Sequence, residues 1–223
     1  MIHTFGIKCN YKSITISGCF GNFYIIPNVF IVKLMAICYT DTGGSIMEDI
    51  TFKDKQYKII KLLGKGKGGY SYLVTDGENE YVLKQIHHEP CSYYQFGDKM
   101  QAELGDYNKL KALNIKMPEM LDYDIESERI LKQYIKGPNA YDLVLEDKMK
   151  SEYIEQICKM CRILYPSKLN IDYFPTNFIL CDEELWYIDY ECNNYMDEWN
   201  FENWGIKYWS KTEEFCKYAE EHK

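Results

Sequence analysis

The sequence predicts an α+β fold in two lobes: a five-stranded antiparallel sheet carrying one helix, followed by a short, mainly helical second lobe. Three observations predict it. A glycine-rich run, Gly64-Lys65-Gly66-Lys67-Gly68-Gly69, lies between two strand-like segments, not between a strand and a helix. Helical periodicity occurs before Gly137-Pro138 and again after it. A polar stretch, residues 168–191, then holds Asp172, Asn177 and Asp189, with Pro175 between the first two.

With 223 residues the chain can bury a core as one large domain or two small lobes. Its net charge of −8 argues against a nucleic-acid surface, which needs a basic stripe. A nucleotide ligand stays open, because it needs only a local lysine and a metal ion. Nine cysteines are scattered without paired spacing. The one C-x-x-C, Cys158 and Cys161, sits in a helical pattern with no second pair and no nearby histidine. Buried thiols in a reducing cytoplasm are therefore expected ahead of a zinc site. None of the four histidines (His3, His87, His88, His222) falls within residues 168–191. Histidine acid–base chemistry is not expected there.

Residues 1–46 read as an extension. The run Phe23 to Tyr39 is apolar but contains Pro27, Asn28 and Lys33, and is short for a spanning helix. It lies far from the N-terminus for a signal peptide. Ile16-Ser17-Gly18-Cys19 looks like a lipobox, but Lys8, Asn10, Lys12 and Ser13 stand where an apolar region is needed. Gly43-Gly44-Ser45-Ile46 is the translation expected of purine-rich ribosome-binding sequence. Met47 is thus the expected native start, with a membrane-touching extension as the alternative. For residues 47–223 no membrane contact is expected.

From Met47 the elements follow in order. Tyr57 to Leu63 and Tyr70 to Val74 flank the glycine run, and Asp76-Gly77 is a hairpin signal before the strand Tyr81 to Ile86. Asp98 to Leu113 has Met100, Leu104, Tyr107 and Leu110 at helical spacing, weakened at Gly105. Glu119 to Tyr123 and Arg129 to Ile135 are the fourth and fifth strands, around an acidic turn. Gly137-Pro138 divides a first lobe, residues 47–136, from a second, residues 137–223. Ser151 is expected to cap a helix whose Ile154, Ile157, Cys158, Cys161 and Leu164 form one stripe, ended by Pro166. An aromatic tail and a polar helix from Thr212 close the chain.

In this order, the motifs of residues 52–204 resemble the protein-kinase-like superfamily. The resemblance implies an ATP site. Gly64, Lys65, Gly66, Lys67, Gly68 and Gly69 would approach the triphosphate through backbone N–H groups. Strand alternation puts Val82 and Lys84 on one face, so Val82 would touch adenine and Lys84 the phosphates. Glu103, nineteen positions on (103 − 84), would pair with Lys84; an exposed helix face is its bland alternative. Gln133 and Tyr134 would hydrogen-bond adenine through their backbone, and Lys132 falls where the family holds an apolar gatekeeper. Asp172 would accept or orient the acceptor hydroxyl, while Asn177 and Asp189 would hold Mg²⁺ against the β/γ-phosphates. The alternative for these three is an Asx-rich turn.

Departures from the family narrow the reading. His-Arg-Asp is replaced by Asn170-Ile171-Asp172, and Asp-Phe-Gly by Asp189-Tyr190-Glu191. No proline follows Pro175, so an Ala-Pro-Glu motif is absent from this sequence. Asp-x-x-Pro-x-Asn and Ile-Asp-x-Glu are similar to the atypical branch: RIO kinases, the small kinases associated with tRNA threonylcarbamoylation, and aminoglycoside and choline kinases. The expectation is a cytoplasmic, Mg-ATP-dependent atypical Ser/Thr protein kinase, with a protein partner completing the short second lobe. A small-molecule kinase acting on an alcohol, and an ATP-binding or ATPase subunit of a complex, remain open beside it.

Overall fold

The computed structural model describes residues 7–10, 13–18, 21–25, 49–89 and 97–222, and the chain divides into two compact units, residues 1–45 and 46–223. In the first, β1 (Ile7–Asn10), β2 (Ser13–Gly18) and β3 (Gly21–Ile25) form an antiparallel sheet in that order. Most of the apolar run from Phe23, and Met47 itself, lie outside the described residues.

The second unit is mixed α+β. Its main sheet has six antiparallel strands, not five: β4 (Asp49–Phe52), β5 (Lys55–Lys65), β6 (Gly69–Thr75), β7 (Glu80–Ile86), β8 (Met120–Asp124) and β9 (Arg129–Gln133), in the order β4-β5-β6-β7-β9-β8. The extra strand is β4. It turns into β5 through Lys53-Asp54, with Lys53 at φ 52°, so that Phe52 pairs with Lys55. Lys-Asp carries no glycine or asparagine turn signal, which hid this hairpin.

The sheet curls. Register shifts in β5 at Ile59/Lys61 and Leu62/Gly64 add local twist. Lys53, at one edge of the sheet, bonds Asp122 on the opposite edge strand at 2.6 Å, and the Arg129 guanidinium reaches the carbonyl of Thr51. Phe52, Tyr57, Val74, Leu83 and Leu131 fill one face. On the other, Ile86 and Ile130 meet Met100 of α1 (Lys99–Ala112), whose N-cap Asp98 accepts from the N–H of Gln101 at 2.9 Å.

The rest of the unit is less helical than expected. α2 (Ala140–Leu145), α3 (Ser151–Leu164) and α4 (Glu213–Glu221) are joined by two two-stranded sheets. These pair β10 (Leu169–Ile171) with β13 (Cys192–Asn194), and β11 (Phe178–Cys181) with β12 (Glu184–Tyr187). Ser151 is the first helical residue of α3 and not its cap. Lys150 stands at the cap without a side-chain bond, and the Ser151 hydroxyl donates to Glu152 instead. The buried stripe of α3 is Tyr153, Ile157, Met160, Cys161 and Leu164, with Ile154 and Cys158 at its margin. Thr212 does cap α4, accepting from Phe215 N–H at 3.1 Å.

One core joins α1, α2, α3 and the small sheets, and the aromatic tail seals it. Trp209 is buried, packs edge-on against Phe178 at 5.1 Å, and donates its indole N–H to the carbonyl of Tyr173 at 2.8 Å. Gly205 lies against the same tyrosine, where a Cβ would come within 2.6 Å of the Tyr173 Cβ. The tail thus fixes the loop that carries Asp172. Among the described residues no helix is long and apolar enough to cross a membrane.

Candidate active site

A cleft of about 1280 Å³ runs between the curled sheet and the second half of the unit, and every residue singled out above for a site lines it. Its roof is the glycine loop. Gly66 N–H donates to the Gly69 carbonyl at 2.9 Å, closing the turn between β5 and β6. The loop is then tied down from outside. His87 N–H donates to Gly68 O at 3.2 Å, and the buried Lys99 ammonium donates to Lys67 O at 3.3 Å and His87 O at 2.5 Å. The glycines are not equivalent. A Cβ on Gly69 would sit 2.5 Å from Gln85 O, so neighbouring strands require that glycine. At Gly64 a Cβ would meet nothing within 4 Å, and at Gly68 it would lie 4.0 Å from Lys84 Nζ, inside the cleft.

Cross-strand register builds the inner wall. Lys84 pairs with Ile130 and Val82 with Lys132, so all four side chains share one face. Lys84 Nζ donates to Glu103 Oε2 at 2.5 Å, with the two side chains 14% and 10% exposed. This pair excludes the exposed-helix alternative for Glu103. The other carboxylate oxygen, Glu103 Oε1, has no hydrogen bond and lies 3.7 Å from Lys132 Nζ. Burial works to lower the pKa of Lys84, but Glu103 and Asp189 outweigh it and hold the ammonium above its usual range. For Lys132 burial wins, and its pKa is lowered.

The strand end after Lys132 corrects one expectation. Gln133 N–H donates to Glu119 O at 2.9 Å, so that donor belongs to the sheet and is not open to a ligand. Tyr134 and Ile135 make no backbone hydrogen bond among the described residues, and both line the cleft. The open backbone groups therefore sit one residue later than the sequence suggested, at Tyr134 and Ile135.

Opposite lie the three polar residues of 168–191. Asp172 Oδ1 accepts from Phe174 N–H at 3.0 Å, and Asn177 Nδ2 reaches Asp172 O at 3.4 Å across the short turn Pro175–Asn177. The Asx turn is thus present, and both side chains line the cleft all the same. Burial raises the Asp172 pKa, the Asp189 charge adds to it, and the Phe174 N–H, Asn177 and Lys67 pull it back. Asp189 goes the other way. Burial pushes it up, but Lys84, Lys132 and the N–H groups of Tyr190 and Glu191 outweigh that and lower it. The two carboxylates thus shift in opposite directions in one cleft.

A hydroxyl ties the backbone of Asp172 to that of Glu191. The fully buried Tyr187 donates its O–H to Glu191 O at 2.8 Å and accepts from Asp172 N–H at 3.4 Å. Asn170, two positions before Asp172, donates to Met196 O at 2.9 Å. Tyr187 was missed in the sequence because its aromatic ring reads as core. So were Tyr218 and His222, which α4 brings to the cleft mouth; Tyr218 packs on Phe174 at 4.6 Å and stacks on His222 at 4.0 Å.

Among the described residues no group of three or more His, Cys, Asp or Glu gathers to hold a metal unaided. Asn177 and Asp189 offer amide and carboxylate oxygens, a hard donor set that suits Mg²⁺ only if phosphate oxygens complete the shell. Compared with protein-family models and with curated proteins, the chain matches none.

Proposed function

We propose that residues 46–223 form a reduced bilobal kinase-like phosphotransferase that moves the γ-phosphate of Mg-ATP to a hydroxyl acceptor. The observation that carries this reading is the Lys84–Glu103 pair at 2.5 Å, set in one cleft with Asp172, Asn177 and Asp189. A structural ion pair would not need a glycine turn above it and two carboxylates of opposite shift across from it. Val82 and the open backbone of Tyr134–Ile135 would seat the adenine, and the glycine loop with Lys84 would hold the phosphates. Asn177 and Asp189 would hold Mg²⁺, which supplies charge neutralisation on the β/γ-phosphate oxygens. Asp172 orients the acceptor O–H and takes its proton. The acceptor oxygen bonds to the γ-phosphorus, the bridging P–O bond breaks, and ADP leaves with that electron pair.

A serine or threonine of a protein is the first choice of acceptor, since residues 190–222 hold no insertion that would wrap a metabolite. One observation favours a small alcohol instead: α4 walls the cleft beside Asp172 with Tyr218 and His222. The test is to incubate the protein with Mg-ATP and cell extract and search by mass spectrometry for phosphorylated products, with Asp172→Ala as control. A phosphorylated peptide or metabolite lost in the variant is expected. Equal labelling by Asp172→Ala and wild type, or none by either, would sink the proposal.

A further inference from the structure

Lys132 is a buried charged side chain that the phosphotransfer reading leaves without a task. It is 5% exposed, which a lysine adopts only when something inside repays the loss of water. Three contacts surround its ammonium. Glu103 Oε1 lies at 3.7 Å, the carbonyl of Ile188 accepts at 3.3 Å, and the ring of Tyr190 lies 4.0 Å away, centroid to nitrogen. A cation over an aromatic face at that distance is held by the ring quadrupole.

Ile188 and Tyr190 are the two neighbours of Asp189. Tyr190 is itself fixed, with its O–H donating to Pro118 O at 2.9 Å and its ring 4.8 Å from that of Tyr107. Lys132 therefore grips the backbone on one side of Asp189 and the side chain on the other. At the same time it neutralises the half of the Glu103 carboxylate that Lys84 does not bond. The innermost charges are two ammoniums, Lys84 and Lys132, and two carboxylates, Glu103 and Asp189, with Asp172 and Glu191 just outside this set. The inner four balance.

We propose that Lys132 is a positioning residue, the second counter-ion of Glu103 and the clamp on both neighbours of Asp189, making the ligand-free site a charge-balanced cluster of four groups that ties β9, α1 and the Asp189 segment together. It rests on the phosphotransferase reading only in naming what the cluster receives, a divalent cation and a nucleotide triphosphate. Balance has a consequence that packing does not. Removing Lys132 leaves the pocket one negative charge in excess, so a free cation binds tighter and a free polyanion binds weaker.

The test is Lys132→Met, which keeps the length and the contact with Tyr190 but not the charge. Mn²⁺ alone is titrated in one experiment, and ATP in excess EDTA in another. The variant is expected to bind Mn²⁺ about tenfold tighter and metal-free ATP about tenfold weaker than wild type. Lys132→Met/Glu103→Gln restores neutrality and should return both affinities toward wild type. Thermal melts in EDTA should order wild type and the double variant above the single variant. Both affinities falling together, neither changing, or a double variant no better than the single would overturn the proposal. If Lys132→Met does not fold, a folded double variant supports charge balance, and an unfolded one assigns Lys132 to packing. If wild type binds neither ATP nor Mn²⁺, the phosphotransferase reading fails, and the melts still decide the role of Lys132.

Discussion

Replacing Glu103 by Gln should destabilise the protein more than replacing Lys84 by Met, although each removes one partner of the same 2.5 Å pair. At an effective dielectric constant near 20, unit charges 2.5 Å apart attract by about 7 kcal/mol, and the second contact, Lys132 at 3.7 Å, adds about 4.5 kcal/mol. Desolvation offsets most of both. What differs is the charge left behind. Without Glu103, two buried ammoniums face each other with Asp189 as their main remaining counter-charge. Without Lys84, Glu103 still has Lys132. The expected losses are about 4 kcal/mol for Glu103→Gln and about 2 kcal/mol for Lys84→Met. For a unit of this size the larger loss lowers the melting temperature by about 10 °C. Chemical denaturation of both single variants and the double variant, without nucleotide, gives the two losses and a coupling energy expected at about 2 kcal/mol. The reverse order, or a coupling indistinguishable from zero, would refute the claim that Glu103 is shared between two lysines.

Three further outcomes follow from single contacts. Gly137→Ala should cost about 3 kcal/mol in a denaturant titration, because its Cβ would fall 1.9 Å from Leu180 O, where the connector crosses β11. Gly105→Ala, on α1 where a Cβ meets nothing within 4 Å, should instead stabilise by about 1 kcal/mol, read as a raised urea midpoint at constant slope. Lys67 draws the raised pKa of Asp172 back down, so Lys67→Ala should lift it. In the proposed mechanism Asp172 acts as a carboxylate, so activity would be lost as pH falls through that pKa. The acid limb of kcat/KM therefore moves to higher pH in the variant, and an unmoved limb would separate Lys67 from Asp172.

Much of the site could be read from the chain because it depends on short-range periodicity. Two-residue alternation placed Val82 and Lys84 on one face of a strand, and the 3.6-residue period marked Met100, Tyr107 and Leu110, while Glu103 came from the separation from Lys84 that the kinase resemblance implies. The glycine turn and the Asx turn at Asp172 are set by residues that touch their own neighbours. These need only a few consecutive side chains to specify them. The hairpin of β4 lacked such a local mark, and so the sheet was read one strand short.

Other parts depend on how distant segments meet. The register of β7 against β9 put Lys132 beside Val82, and no pattern within 129–135 says that its ammonium shares Glu103. Whether Gln133 N–H is free depends on where Glu119 lies, and the role of Tyr187 on the loop beside it. α4 reaches the cleft mouth only because the aromatic tail folds back over Tyr173. Residue types and local geometry therefore pick out the candidate site from the sequence alone. Its charge balance, its open backbone donors and the wall beside Asp172 come from long-range packing, because burial of the whole core, not any local preference, selects which of many pairings the chain keeps.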